Sequence, residues 1–425
     1  MADRIKYAAV GCGGMGRRHL NGMARLYKSA SCNMELVAVC DLNQENANWL
    51  ADEALALLGA RPRVFADIAQ MAREMPELQA ADVTTDSGSH HAVANICLEA
   101  GLHVMCEKPL AVTIRGCSLL INTAKRKKLT LSVAENYRRD PIQRLTKALL
   151  NDGAIGDVRL MIHHSVSGRD AIQMTPWRHM KHTASMPIDA GVHSADMLQF
   201  FFGEFESIWG ESRLHEKIRR KTGSTGPGGM YARWLNTIPD TMEPTGDDAL
   251  YAQIRFRSGT LVQWIHDGAG HGKPHGTHHI FGSKASIECS NPRSGRPVVI
   301  HFDDGTVIDD ERILEYAPSY KLSPLAAELF GGEQIWQFKF EFNDTDACIL
   351  ALEYYELGEC VRTGEQPEVT GEVGRSALAM NYAPFESGRL DRPLTMDDMI
   401  SGRADPYQRE IDEKIGLLTP VSAGR

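Results

Sequence analysis

A glycine-rich turn set between an apolar run and a helical segment constrains this chain more than any other feature. Residues 5–10 read as a short buried strand, and Gly11-Cys12-Gly13-Gly14-Met15-Gly16 follows directly. Residues 16–27 carry a helical pattern, and a second apolar run, 35–40, is closed by Asp41. In that strand–turn–helix setting the G-x-G-x-x-G spacing has a physical meaning. The first glycine permits the tight turn, the second lets the backbone approach a pyrophosphate, and the third lets the helix pack closely on the strand. Free N–H groups at the helix start then face phosphates. Asp41 is placed to accept hydrogen bonds from the ribose hydroxyls of an adenosine. A carboxylate there repels a ribose phosphate, so NAD is expected over NADP. The alternative is a structural glycine turn beside an unrelated aspartate.

The rest of the first third keeps the same rhythm. Helical stretches are expected at 44–58, 90–100 and 114–127, and strands at 63–65, 80–85, 103–107 and 130–134. Alternation of this kind predicts a parallel, doubly wound sheet. After Asn136 the pattern changes. Helices are expected at 141–151, 190–202 and 338–362, with strands at 156–165, 250–256, 261–266, 278–281, 285–289 and 298–302. Short turns between some of these strands argue for a mainly antiparallel, open sheet of sequence-local strands. Residues 210–246, with Gly223, Gly226, Gly228 and Gly229, read as an irregular insertion. The expected organisation is a Rossmann domain over 1–134, an α+β domain over 135–395 for substrate and oligomer contacts, and a tail over 396–425.

Bulk properties narrow the classes. At 425 residues, two domains are the default, and 43% hydrophobic with 24% charged residues is ordinary globular composition. A net charge of −9 with no basic stripe beside aromatics speaks against nucleic acid. The cluster Lys125–Lys128 sits at a helix end, where cations complement the dipole. Nine scattered cysteines without a CxxC pair suit a reducing cytoplasm, and Cys40, Cys97 and Cys106 look like core residues. Met1-Ala2-Asp3-Arg4 leads straight into a strand, so no signal peptide is expected, and no apolar stretch reaches membrane length.

Glu107-Lys108-Pro109, after Gly101-Leu102-His103-Val104-Met105-Cys106, combines with the glycine turn into a recognisable pair. Together they resemble the Gfo/Idh/MocA oxidoreductases, NAD(P)-dependent enzymes acting mostly on sugars, inositols and their derivatives. Asp189-Ala190-Gly191-Val192-His193-Ser194-Ala195-Asp196 is similar to that family's D-x-G-x-H-x-x-D segment, and Ala134-Glu135-Asn136-Tyr137-Arg138 to its interdomain junction. Trp177-Arg178 also fits. Three places depart from the family pattern: Thr85-Asp86 replaces a common Thr-Pro, Ala184-Ser185-Met186-Pro187 replaces a glycine cluster, and the insertion at 210–246 is longer than expected and is placed to cover the pocket. The resemblance implies cofactor contacts from Gly11, Gly13, Gly14, Met15, Gly16, Asp41, Thr85, His90, Glu107, Lys108, Asn136, Trp177 and Arg178. It implies a second domain whose open sheet carries the contact of a homo-oligomer, a dimer or tetramer.

Oxidising a secondary alcohol with NAD requires a base for the hydroxyl proton while hydride leaves the same carbon. His193 has a suitable intrinsic pKa, and Asp189, four residues earlier at a helix start, can share its face. Lys108 follows a strand end and can hydrogen-bond the reacting oxygen. The resemblance implies these three as catalytic, with Asp189 also holding substrate and orienting His193. Their plainer readings are a helix cap for Asp189, a structural histidine and a solvent turn at Lys108-Pro109. Tyr137 and one of His163 and His164, here assigned to His164, are expected to line the substrate pocket. His271, His275, His278 and His279 lie in a glycine-rich stretch without acidic neighbours in sequence. They are expected to present polar groups to substrate or a neighbouring subunit, and no metal is assigned. The expected activity is NAD-dependent oxidation of a sugar, inositol or glycoside hydroxyl. A redox-neutral, NAD-dependent glycosidase (oxidation, elimination, water addition, reduction) is the alternative. A nucleotide-sensing regulator is a third, which has no need of a base.

Overall fold

The computed structural model describes residues 4–223 and 226–418. Residues 1–3, part of the expected strand lead-in, lie outside the described residues, as do residues 224–225 of the insertion and 419–425 of the expected tail. The first third runs β1 (Ile5–Val10), α1 (Gly14–Tyr27), β2 (Met34–Cys40), α2 (Gln44–Leu58), β3 (Arg63–Phe65), α3 (Ile68–Glu74), β4 (Ala80–Val83), α4 (His90–Glu99), β5 (His103–Glu107), α5 (Ile114–Lys127) and β6 (Leu131–Ala134). The six strands are all parallel in the order β3-β2-β1-β4-β5-β6. The order reverses between β1 and β4, and the crevice at the carboxyl ends of these two strands is where such a sheet binds ligands. Apolar runs buried on both faces, such as Ala80–Val83, are what a parallel sheet covered by helices requires.

Helix ends show the division of labour. Asn43, Asp67 and Thr113 cap α2, α3 and α5 with side-chain oxygens on free N–H groups. Helix α1 begins at Gly13 with no side-chain cap, so its amino end is left for something else.

The chain continues through α6 (Pro141–Asn151), β7 (Leu160–Gly168), α7 (Met186–Asp189), α8 (Gly191–Phe202) and β8 (Phe205–Arg213). Then come β9 (Arg219–Arg220), β10 (Thr241–Met242), β11 (Ala249–Phe256), β12 (Leu261–Gly270), β13 (His275–Phe281), β14 (Ala285–Glu288), β15 (Val299–Phe302) and β16 (Val307–Ile308). Eight of these strands form one sheet, β16-β15-β14-β13-β7-β12-β11-β8. The expectation of sequence-local antiparallel pairing needs correcting at the centre: β7 inserts between β13 and β12 and runs parallel to β12. Strand β7 also starts later than expected. Gly210 belongs to β8, opposite Ala252, rather than to the insertion. One face of the sheet is core and the other open: Val262 and Trp264 are buried while Leu261 and Gln263 between them are exposed.

Helices α9 (Pro324–Phe330), α10 (Phe342–Thr363) and α11 (Gly371–Leu390) follow, and α11 carried no expectation from the sequence. Helix α10 packs along α1, and α11 bridges β8 and α5, so the late chain returns to the first domain. Tyr354 of α10 donates to buried Asp82 at 2.5 Å. The expected tail carries α12 (Met396–Ile400) and α13 (Pro406–Lys414), and Asp412 accepts from Thr113 at 2.6 Å.

The irregular segment between β8 and β11 is anchored by Arg219. This side chain is fully buried, pairs with Asp248 at 2.8 Å and donates to the carbonyls of Arg169, Ala171 and Gly268. Beyond it, Trp234 meets Trp49 edge-on at 5.8 Å, and Arg233 pairs with Glu45 at 2.6 Å. The segment thus lies across α2, beside the glycine turn.

Candidate active site

A cavity of about 900 Å³ opens at the switch point, running from Asp41 past the glycine turn to His193 and Arg293. The turn fits a dinucleotide. Gly11 has φ +99°, and a Cβ on it would stand 2.7 Å from the Thr84 and Thr85 backbone. A Cβ on Gly16 would stand 2.3 Å from the Gly11 carbonyl oxygen, so close helix–strand packing excludes any side chain. A Cβ on Gly13 would meet nothing within 4 Å, which leaves the approach to the uncapped amino end of α1 clear. Asn136, just after β6, lines the cavity, and its Oδ1 is buried without a hydrogen-bond partner among the described residues.

Asp41 lines one end of the cavity and accepts main-chain N–H groups of Cys12 and Asn43, each at 2.7 Å. Those bonds fix the carboxylate and leave lone pairs for ribose hydroxyls. Asp41→Ala is expected to lower discrimination of NADH over NADPH by ~10-fold or more, the scale of a lost charge-assisted hydrogen bond. Fluorescence titration with both nucleotides measures this, and unchanged discrimination removes Asp41 from the role.

At the other end, Lys108 and Asp189 meet. The Lys108 ammonium donates to Asp189 Oδ1 at 3.0 Å and to the Asp189 carbonyl at 2.9 Å. The Arg178 guanidinium takes the other oxygen, Oδ2, at 2.9 Å. Burial disfavours ionisation of Asp189, yet the two cations hold its carboxyl well below the usual range. Asp189 ends α7 and His193 stands in α8, with Ala190 between the two helices rather than one continuous turn. Ala184, in the segment that replaces the family's glycines, has φ +69°, a left-handed conformation that glycine adopts without strain.

The partner of His193 is not Asp189, as the sequence suggested, but Glu135. Its Nδ1 lies 2.7 and 2.8 Å from the two Glu135 oxygens, and both oxygens of Asp189 are already taken. The Asp189 carboxylate does favour charged His193, as expected, but it is outweighed. Burial, reinforced by Lys108 and Arg293, pushes His193 well down, and burial pushes Glu135 up to about 7. Neutral imidazole therefore prevails, with Nε2 as the nitrogen left for a ligand in the cavity. Tyr137 stacks on the imidazole, centroids 4.0 Å apart and planes at 3°.

Beneath Lys108, His19 bridges Asp82 at 3.0 Å and Glu107 at 3.1 Å, all buried. The two carboxylates outweigh burial and raise His19 well above its ordinary value. Glu107 also accepts the Lys108 main-chain N–H at 2.8 Å, so it positions the lysine. His90 lines the cavity, but its nitrogens face the Pro109 and Thr85 carbonyls at 2.8 and 3.2 Å, which makes it a brace for the loop that carries Lys108. Gly14, Met15, Thr85, Trp177 and Tyr137 all line the cavity, joined by Met230 and Tyr231 from the insertion.

His164 is a correction. It stands on the open face of the sheet with Gln263 at 3.2 Å and does not line the cavity; strand alternation turns its neighbour His163 inward to Ser194, which does not bring His163 to the cavity either. His278 and His279 lie on β13, as expected, which begins three residues earlier and takes in His275, and His278 stacks on His163 inside at 4.3 Å. Strand register places His279 on the open face with Glu288 and His301, their ligand atoms within 4.8 Å of one another. Glu135, His19, Arg18, Arg293 and Tyr231 were missed from the sequence. Glu135 alone had a signal, its place beside Asn136 at the end of β6.

Residues 5–135 match the oxidoreductase family with NAD-binding Rossmann fold, and residues 143–288 match the GFO/IDH/MocA C-terminal domain. The chain belongs to the Gfo/Idh/MocA family. Among curated members it is 28% identical over 400 residues to the D-apiose dehydrogenase of Paraburkholderia graminis, covering 93% of this chain and 91% of that one. A shorter match, 30% identity over 161 residues, joins 36% of the chain to 32% of glycosyl hydrolase family 109 protein 2 of Akkermansia muciniphila. A levoglucosan dehydrogenase solved with NADH and L-sorbose superposes with a TM-score of 0.71 at 21% identity, over 94% of this chain and 100% of that one. That likeness establishes the shared fold of this Gfo/Idh/MocA protein.

Proposed function

We propose that this Gfo/Idh/MocA member is an NAD-dependent dehydrogenase of a sugar-type secondary hydroxyl. The observation that carries this is the convergence of Lys108, Asp189 and His193 on the cavity that begins at the glycine turn. Bound NAD supplies the hydride acceptor. His193 Nε2 takes the hydroxyl proton, and Glu135 at Nδ1 stabilises the imidazolium that results. Lys108, with two of its three N–H bonds on Asp189, has the third for the reacting oxygen and stabilises its developing negative charge. Arg178 and Asp189 hold that ammonium in place. The D-apiose dehydrogenase relative supports a carbohydrate substrate.

The glycosidase reading keeps a specific observation in its favour. Segment 226–238 packs on the nucleotide domain, with the Tyr231 ring 3.1 Å from where a Gly14 Cβ would be, an arrangement suited to holding NAD through a cycle. The family 109 relative is consistent with it. One measurement separates them. With a sugar panel and excess NAD, the dehydrogenase accumulates NADH in proportion to substrate consumed. Aglycone release from a nitrophenyl glycoside without NADH establishes the alternative.

Exposed Trp209, Leu261 and Phe281 dot the open sheet face, and we infer that this face joins copies of the chain. Sedimentation at micromolar concentration is expected to show a dimer or larger, and a monomer removes the inference.

A further inference from the structure

Beyond the base, the cavity wall turns cationic. His193 stacks on Tyr137, and the Arg293 guanidinium lies 4.8 Å over the Tyr137 ring and donates to its hydroxyl at 3.1 Å. Arg18, from the second turn of α1, joins Arg293 in lining the cavity. Both guanidinium groups lean on one carboxylate, Asp346 of α10: Arg18 grips it with a two-pronged fork, and Arg293 meets it at 3.1 Å. Asp140 and Glu107 also stand near, but Asp140 accepts the main-chain N–H groups of Ile142 and Arg293, and Glu107 is bonded to His19 and to the Lys108 N–H. Both guanidinium groups thus hydrogen-bond the one carboxylate of Asp346, with side chains only 14% and 12% exposed.

Two further facts mark Arg293. Its Nε is buried and has no hydrogen-bond partner among the described residues. A buried donor left unfilled is costly, most of all on a charged group. Its backbone has φ +63°, a left-handed conformation that long L side chains rarely adopt. Such strain persists where the surrounding structure imposes it, and it clusters at ligand sites.

We propose that Arg293 and Arg18 form an anion subsite that takes a carboxylate or phosphate group of the substrate, so that the substrates are acidic sugars. The Arg18 fork is held by Asp346, so what the pair offers an anion at the cavity wall is its positive charge, which a neutral hydroxyl does not answer. The subsite stands one aromatic ring away from His193, a separation the carbon skeleton of a hexose acid covers. Arg293 reaches the site through Tyr137, on the side of the base, whereas the pyrophosphate position is the uncapped start of α1.

The proposal rests on reading the cavity as a sugar-alcohol site, and binding without turnover separates the two. D-Glucuronate, D-glucose 6-phosphate and D-glucose are titrated calorimetrically into protein saturated with NADH, where no oxidation occurs. At least one acidic probe is expected to bind ~10-fold or more tightly than D-glucose, the scale of a charge-assisted pair, and to weaken with added salt. Which acid wins distinguishes a carboxylate from a phosphate site. Arg293→Met is expected to erase the preference while NADH affinity stays unchanged. Equal affinity for all three probes in the native protein overturns the subsite, whatever the variant does. An Arg293→Met protein that folds but loses NADH affinity also overturns it, because the guanidinium then serves the nucleotide. Neutral sugars reducing NAD without any acidic preference removes only the subsite. Tight binding of an acid with no NAD reduction from any sugar removes only the dehydrogenase reading.

Discussion

Replacing His193 with alanine is expected to lower kcat by ~10³-fold, within the range that positioned general bases contribute, while NADH affinity stays unchanged. The imidazole is held by Glu135 and Tyr137 at the end of the cavity away from Asp41, so nucleotide binding is expected to survive its loss. Glu135→Gln tests the same dyad from behind. A glutamine amide can donate to Nδ1, which forces the proton onto Nε2 and removes the acceptor, so a ~10²-fold loss is expected. The pH profile adds the sign. Burial places Glu135 at about 7. As pH falls through that value the dyad takes up a proton, and imidazolium formation loses its counter-charge. Activity is therefore expected to fall on the acid side with an apparent pKa that belongs to the pair, and to lose that limb in Glu135→Gln. Near-normal turnover in His193→Ala places the base elsewhere.

Lys108→Met is expected to cost a comparable ~10³-fold in kcat, because it removes the donor aimed at developing oxyanion charge in a water-poor site. The methionine keeps the length of the side chain, so the loss reports charge and hydrogen bonding rather than a cavity. Asp189 retains Arg178 at 2.9 Å and stays ionised, so the surrounding geometry is expected to hold. Single-turnover kinetics with saturating NAD isolate the chemical step. A variant that loses only KM shows that Lys108 binds substrate without acting on the reacting oxygen.

The first domain was legible because each of its signals is local. Glycines 11, 13 and 16 must follow a strand and open a helix within a dozen residues, and the sheet order follows from repeated right-handed crossovers. Lys108, Asp189 and His193 were legible through short segments whose residue types are those that alcohol oxidation requires. The expectation that His163 or His164 lines the pocket failed on both faces of the strand. His164 turns to the open face and His163 to Ser194, and neither reaches the cavity, which only the packing of β7 between β12 and β13 decides.

The sequence alone thus determined the nucleotide fold and singled out Asp41, Lys108, Asp189 and His193 as candidates, since these signals lie in residues adjacent along the chain. Tertiary structure decided which carboxylate serves which cation. Asp189, four residues from His193, is drawn to Lys108 and Arg178, while Glu135, 58 residues away along the chain, takes the imidazole. Arg18 and Arg293 meet on Asp346 only because α10 returns to pack along α1. The physical reason is the same throughout. Burial makes an unpaired charge costly, so each charged group takes the partner that packing brings within hydrogen-bond reach, and sequence distance has no bearing on that.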